Sequence, residues 1–240
     1  MKTLKRILLI VPILTGTLSI FAQTAEEIIA KHIDAIGGED KLNTITSVRM
    51  ESTLDAMGIS GPSTTTILNG KGYRNESEFN GQKVITVYTD KGGWTVNPFA
   101  GSTDPQALSD EQYKASEDYI YIEPFFRYAE RGSKVELLGQ EKLGDINSYK
   151  IKLTNKDNSA ATYYLDPSTY QILQITGTTN MMGQDMDVKT TCSDYKKTDY
   201  GFVVPQTIQV AIGDQFSMTT KLNKIEVNQP VDASIFEMKK

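Results

Sequence analysis

Two long stretches of this sequence alternate apolar and polar residues with a period of two. In the first, Val48, Met50, Leu54 and Ala56 fall on one side, and Arg49, Glu51, Thr53 and Asp55 on the other. Such alternation belongs to strands with one face against a core and the other against water. Turn chemistry cuts the stretch into pieces. Met57 to Pro62 reads as a loose hairpin tip, and Asn69-Gly70 and Asn80-Gly81 supply the left-handed positions that two-residue hairpins need. Asp90-Lys91-Gly92-Gly93 is a further turn, followed by a strand with the sole tryptophan, Trp94. That strand ends at Asn97-Pro98-Phe99, because proline has no amide for the ladder. A meander of about five antiparallel strands is predicted here.

The second stretch repeats the pattern. Tyr149, Ile151 and Leu153 alternate with Lys150 and Lys152, and Met186, Val188, Thr190 and Cys192 share one face. Asp166-Pro167-Ser168 is a turn between Ala161–Leu165 and Tyr170–Thr176. The strands continue through Phe202–Ile212 and Phe216–Val227. The total is about eleven, with no β-α-β alternation and no repeat, which disfavours a parallel sheet or a solenoid.

Helices are expected in two places. Thr24-Ala25-Glu26-Glu27 is a capping box, Ile28, Ile29, Ile33 and Ile36 recur at helical spacing, and Gly37-Gly38 is a helix stop. His32, the one histidine, lies beside that stripe and reads as a surface residue. Between the two strand-rich stretches, Thr103-Asp104-Pro105 suggests a helix start, with a short helix to Ser116 and another over Tyr119–Glu130. Such short helices need a partner surface, and the open sheet face is the one available. The fold class that follows is mainly β with α: a large curved antiparallel sheet, an incomplete β-barrel, lidded by short helices.

Lys2, Lys5 and Arg6 precede a short apolar run ending at Ser19-Ile20-Phe21-Ala22. Residues 1–22 therefore read as a signal peptide cleaved after Ala22, with residues 23–240 a single exported domain in the periplasm.

Little in the chain suggests catalysis. It has no Gly-x-Ser-x-Gly, no His-Glu-x-x-His and no phosphate-binding glycine loop. One histidine and one cysteine leave no material for most triads or zinc sites. Asp185 and Asp187 fall on the wet face of their strand, and Cys192 reads as a buried thiol. A net charge of −5 argues against a nucleic-acid partner. No enzyme activity, metal or cofactor is expected. What remains is apolar surface rich in methionine, at Met50, Met57, Met181, Met182, Met186 and Met218, a soft wall suited to flexible apolar ligands.

Several segments, in order, resemble the periplasmic lipoprotein carrier family LolA. They are Trp94-Thr95-Val96-Asn97-Pro98-Phe99, the run from Tyr163 through Asp166-Pro167 to Leu173, Asp194-Tyr195 with Gly201 and Pro205, and Val231-Asp232-Ala233-Ser234-Ile235-Phe236. Ala35-Ile36-Gly37-Gly38 with Lys41-Leu42 is similar to the LolA-like exported proteins of Bacteroidetes. The resemblance implies an apolar trough under a helical lid that binds acyl chains of lipoproteins or other lipids for transfer to the outer membrane. Its lining would include Met50, Leu54, Trp94, Phe99, Phe125, Phe126, Met186, Val188 and Met218. Implied partners are a lipid or acylated lipoprotein and transfer partners at the inner and outer membranes, with the carrier a monomer. A cell-envelope interaction module with a filled core is the alternative. One departure is visible: Gly70 stands where the family's lid-latching arginine would be, and Arg74 is offset from it.

Overall fold

A computed structural model describes residues 23–114, 116–181, 184–214 and 216–239. The expected export segment lies outside them, as do the side chains of Met181 and Met182. The chain opens with α1 (Ala25–Ile36) and α2 (Glu39–Asn43). Six strands follow: β1 (Ser47–Ala56), β2 (Ile59–Leu68), β3 (Gly72–Phe79), β4 (Gln82–Thr89), β5 (Gly92–Asn97) and β6 (Ser102–Ala107). After α3 (Asp110–Lys114) and a 3₁₀ turn at Glu117–Ile120 come β7 (Lys134–Leu143), β8 (Ile146–Thr154), β9 (Ala160–Leu165), β10 (Ile172–Met181) and β11 (Gln184–Ser193). The short pair β12 (Lys196–Lys197) and β13 (Val203–Val204) precedes β14 (Thr207–Ile212), β15 (Phe216–Val227) and a final 3₁₀ turn, Ala233–Phe236.

Thirteen of these strands form one antiparallel sheet in the order β6-β5-β4-β3-β2-β1-β15-β14-β11-β10-β9-β8-β7, while β12 and β13 pair separately. The sheet is not closed: β6 and β7 are its two edges. It is nonetheless curled, since α3 touches both β5 and β10 from opposite flanks.

Residues opposite one another on neighbouring strands share a face, so the register carries each face across the sheet. Met50 stands opposite Thr65 on β2 and Ile225 on β15. Thr65 leads on to Asn75 and Thr86. On the other flank Met218, opposite Ala56, leads through Val210, Thr190 and Ile175 to Tyr163 and Ile151. This is the concave face, because α1 packs against it.

The capping box of α1 forms as the sequence implies. Glu27 N–H donates to Thr24 Oγ1 at 3.2 Å, and Thr24 N–H to Glu27 Oε2 at 3.3 Å. Gly37, at φ +141°, ends the helix. The stripe Ile28, Ile29, Ile33 and Ile36 is buried with Val48, Ile151, Leu153, Leu165 and Phe125 in the main core. Each such side chain contributes about 1.5–3 kcal/mol of burial, enough to fix a twelve-residue helix that would be marginal alone. Cys192 packs in the same core, and burial pushes its thiol up to about 11.

The segment between the two halves departs from expectation. Ser102–Ala107 is a strand, not a helix. It lies at the sheet edge, where Pro105 needs no ladder partner for its missing amide. Helix follows only at Asp110–Lys114. Tyr119–Glu130 is likewise not a helix. It is a 3₁₀ turn ending at Ile120, then a series of bends and turns, with Arg127 at φ +54°. Its bulky residues are held by tertiary contacts rather than by helical periodicity. No helix among the described residues is long and apolar enough to cross a membrane.

Candidate functional site: a trough under a lid

Residues 108–114 and 116–133 cross the concave face as a lid. Leu108 sits directly over Gly93, where a side-chain β-carbon would come within 2.7 Å of it. The Tyr113 hydroxyl donates to Thr89 O at 2.7 Å. The Tyr119 ring stacks on Tyr88 at 5.6 Å and lies 5.4 Å from Tyr73. Phe125 is fully buried, 4.6 Å from the Tyr163 ring.

Two contacts pin the lid at its centre. Gly70 N–H donates to Ile120 O at 2.8 Å, and Ile122 N–H donates to Asn69 Oδ1 at 3.3 Å. Asn69 in turn donates to Ile45 O at 3.2 Å. The β2–β3 turn therefore latches the lid with main-chain groups and one amide side chain, at the place where the family resemblance puts an arginine. Arg74 points away from the lid, as its offset implied. On the opposite face its Nη1 donates to Ile235 O at 2.8 Å and its guanidinium lies over Trp94. Beside the latch, a cleft of about 370 Å³ opens between Leu42, Asn69, Gly70, Tyr121, Phe126 and Arg131.

His32 is buried, not on the surface. Its Nδ1 is 2.7 Å from Tyr170 O, and its Nε2 is 3.4 Å from Glu123 Oε1 in the lid. Burial lowers its basicity, but the field and contact of Glu123 and the Tyr170 carbonyl outweigh that, so its pKa is raised above 6.5. A helical wheel puts His32 next to the isoleucine stripe; the lid that covers it comes from far along the chain.

The residues expected to line a trough divide by face. Met50, Leu54, Met186, Val188 and Met218 all take inward positions on the concave face. Met50 and Phe126 pack against the main core, and Phe125 is part of it. Leu54, Met186, Val188 and Met218 are half-buried and stand outside that core, at the end away from α1. Two residues fall elsewhere. Phe99 is 59% exposed in the turn after β5. Trp94 stands opposite Val87 on the convex face, buried with Val87 and Phe236, and its Nε1 donates to Phe236 O at 2.9 Å. Asp185 and Asp187 are exposed, as their alternation implied. Among the described residues no group of three or more His, Cys, Asp and Glu could hold a metal.

Solved structures of similar overall fold are known. A LolA superfamily protein from Nitrosomonas europaea superposes with a TM-score of 0.59 over 90% of this chain and 98% of its own, at 13% identity. The fold is LolA-like. A Vibrio parahaemolyticus domain assigned to outer membrane lipoprotein sorting aligns over 88% of this chain and 94% of its own, with a TM-score of 0.57 and 12% identity. A DUF1329 family protein from Desulfovibrio piger aligns over 90% and 98%, with a TM-score of 0.58 and 14% identity. No family model matches the sequence, and no curated protein matches it. Within this LolA-like frame, sequence reasoning missed the His32–Glu123 pair. The resemblance put Gly70 at the latch position, but did not show that Asn69 and the Gly70 amide themselves hold the lid.

Proposed function

We propose that the mature chain is a non-catalytic periplasmic carrier that binds acyl chains of a lipid or acylated lipoprotein under the lid and releases them toward the outer membrane. The observation that carries this reading is the half-buried cluster Leu54, Met186, Val188 and Met218, which converges on one end of the concave face without joining the packed core. Each methylene moved from water onto such a surface gains about 0.8 kcal/mol, so a single chain suffices for tight binding without any catalytic group. The lid is held by a few hydrogen bonds, the His32–Glu123 pair and the packing of Ile120 and Phe125, and it opens only to a ligand that binds the open form better.

Native mass spectrometry tests this on protein exported to and purified from the periplasm, then delipidated and offered a fatty-acylated peptide. A co-purifying mass that leaves on delipidation and returns with the peptide supports the carrier. A Leu54→Asp variant should then lose uptake while keeping its fold, because an unpaired carboxylate among methylenes is costly. No bound mass and no uptake would leave a filled-core interaction module as the better reading.

A further inference from the structure

The two walls of the trough differ in chemistry. Along β1 to β5, β10, β11, β14 and β15, no inward position carries a formal charge. One wall is mainly apolar, with Val188, Val210, Ile212, Phe216 and Met218 inward beside Thr190 and Thr220. The facing wall, on β2 to β4, places Ser63, Thr65, Asn75, Ser77 and Thr86 inward.

These polar groups are organised. Asn75 Nδ2 donates to Ser63 Oγ and to Thr65 Oγ1, each at 2.9 Å. Ser77 Oγ donates to Asn75 Oδ1 at 2.9 Å and lies 3.1 Å from Ser63 Oγ. Ser63 and Ser77 are buried. The network is preset, and its hydroxyl and carbonyl oxygens retain lone pairs that can still accept. The Tyr73 hydroxyl beside it is kept neutral by burial, helped by Tyr119 and Tyr88.

A bare alkyl chain laid on this wall would offer no donor to the acceptor lone pairs that the network leaves over. A charged headgroup would meet no counter-charge at the inward positions of these strands. Groups that match are hydroxyls and amides. Granted the carrier reading above, we propose that the cargo is an uncharged amphiphile, with its alkyl chain on the β11–β14–β15 wall and a hydroxyl- or amide-bearing portion on the β2–β4 wall.

The test is a competition panel at one chain length, read by native mass spectrometry at about pH 8: 1-palmitoylglycerol, an uncharged N-palmitoyl dipeptide amide, palmitate and hexadecane. The expected result is that either uncharged amphiphile outcompetes palmitate and hexadecane by ~10-fold or more, the yield of one or two added hydrogen bonds. Which of the two binds better separates an acylglycerol source from an acylated-protein source. Asn75→Leu, or the milder Thr86→Val should the former misfold, is expected to remove most of the advantage over hexadecane. Palmitate binding as tightly as the uncharged probes, or folded variants that keep the full preference, would overturn the assignment while leaving the carrier reading intact. If no probe binds, both fall together.

Discussion

His32 Nε2 on α1 faces Glu123 Oε1 in the lid across 3.4 Å, with both side chains almost wholly enclosed. The edge of the imidazole meets the Phe125 ring at 5.7 Å, and its other nitrogen meets Tyr170 O. One pair thus joins the N-terminal helix, the lid and the β9–β10 turn. Tyr163, Cys192 and Tyr195 approach Glu123 from the sheet side and stay neutral, since burial raises all three.

This pair makes lid attachment depend on pH. The folded-state pKa of His32 is raised above its unfolded value of 6.5. Its stabilising contribution is therefore fully present below that value and is lost as pH rises through the folded pKa. Denaturant titrations from pH 5.5 to 9 should show wild type losing stability across that window relative to Glu123→Gln, whose curve should be flatter. At about pH 6, Glu123→Gln should cost on the order of 3 kcal/mol, because it leaves His32 enclosed without its counter-charge. Equal slopes for the two proteins would refute the coupling.

Asn69 should govern how readily the lid opens. Asn69→Ala removes the acceptor for Ile122 N–H and the donor to Ile45 O, which costs about 1–2 kcal/mol. Hydrogen exchange should report it as faster exchange confined to the lid around Ile120 and Ile122, with α1 and the central strands unchanged. Global acceleration would mean that the turn supports the whole sheet rather than the lid.

Trp94 should report on the C-terminal turn and not on cargo. Its indole is buried against Phe236 on the convex face, and Gly72 makes room there, since a β-carbon at that position would come within 2.8 Å of the Phe236 ring. Phe236→Ala should destabilise the protein by about 3–5 kcal/mol and shift the tryptophan emission to the red. Adding an acylated ligand should leave that emission nearly unchanged. A large ligand-induced shift would show that the two faces are coupled.

Local sequence determined most of the element boundaries. Period-two alternation with Asn-Gly and Asp-Pro turns specified the strands, and the Thr24–Glu27 box, the isoleucine stripe and Gly37 specified α1, because each rests on contacts within a few residues. The alternation also grouped Met50 with Leu54, and Met186 with Val188, on faces that the fold turns inward. Tertiary structure decided which face of β4 and β5 is the inner one. Val87, Ile85, Trp94 and Val96 are the more apolar set, yet they face outward, because the C-terminal turn covers them and the register with β1 turns Thr86 inward. It also decided that Ser102–Ala107 pairs as an edge strand and that His32 is enclosed. In each case the deciding partner lies far away in sequence: Phe236 for Trp94, Glu123 for His32. Periodicity shows that a strand or helix has two faces, but only the long-range pairing determines what comes to cover each one.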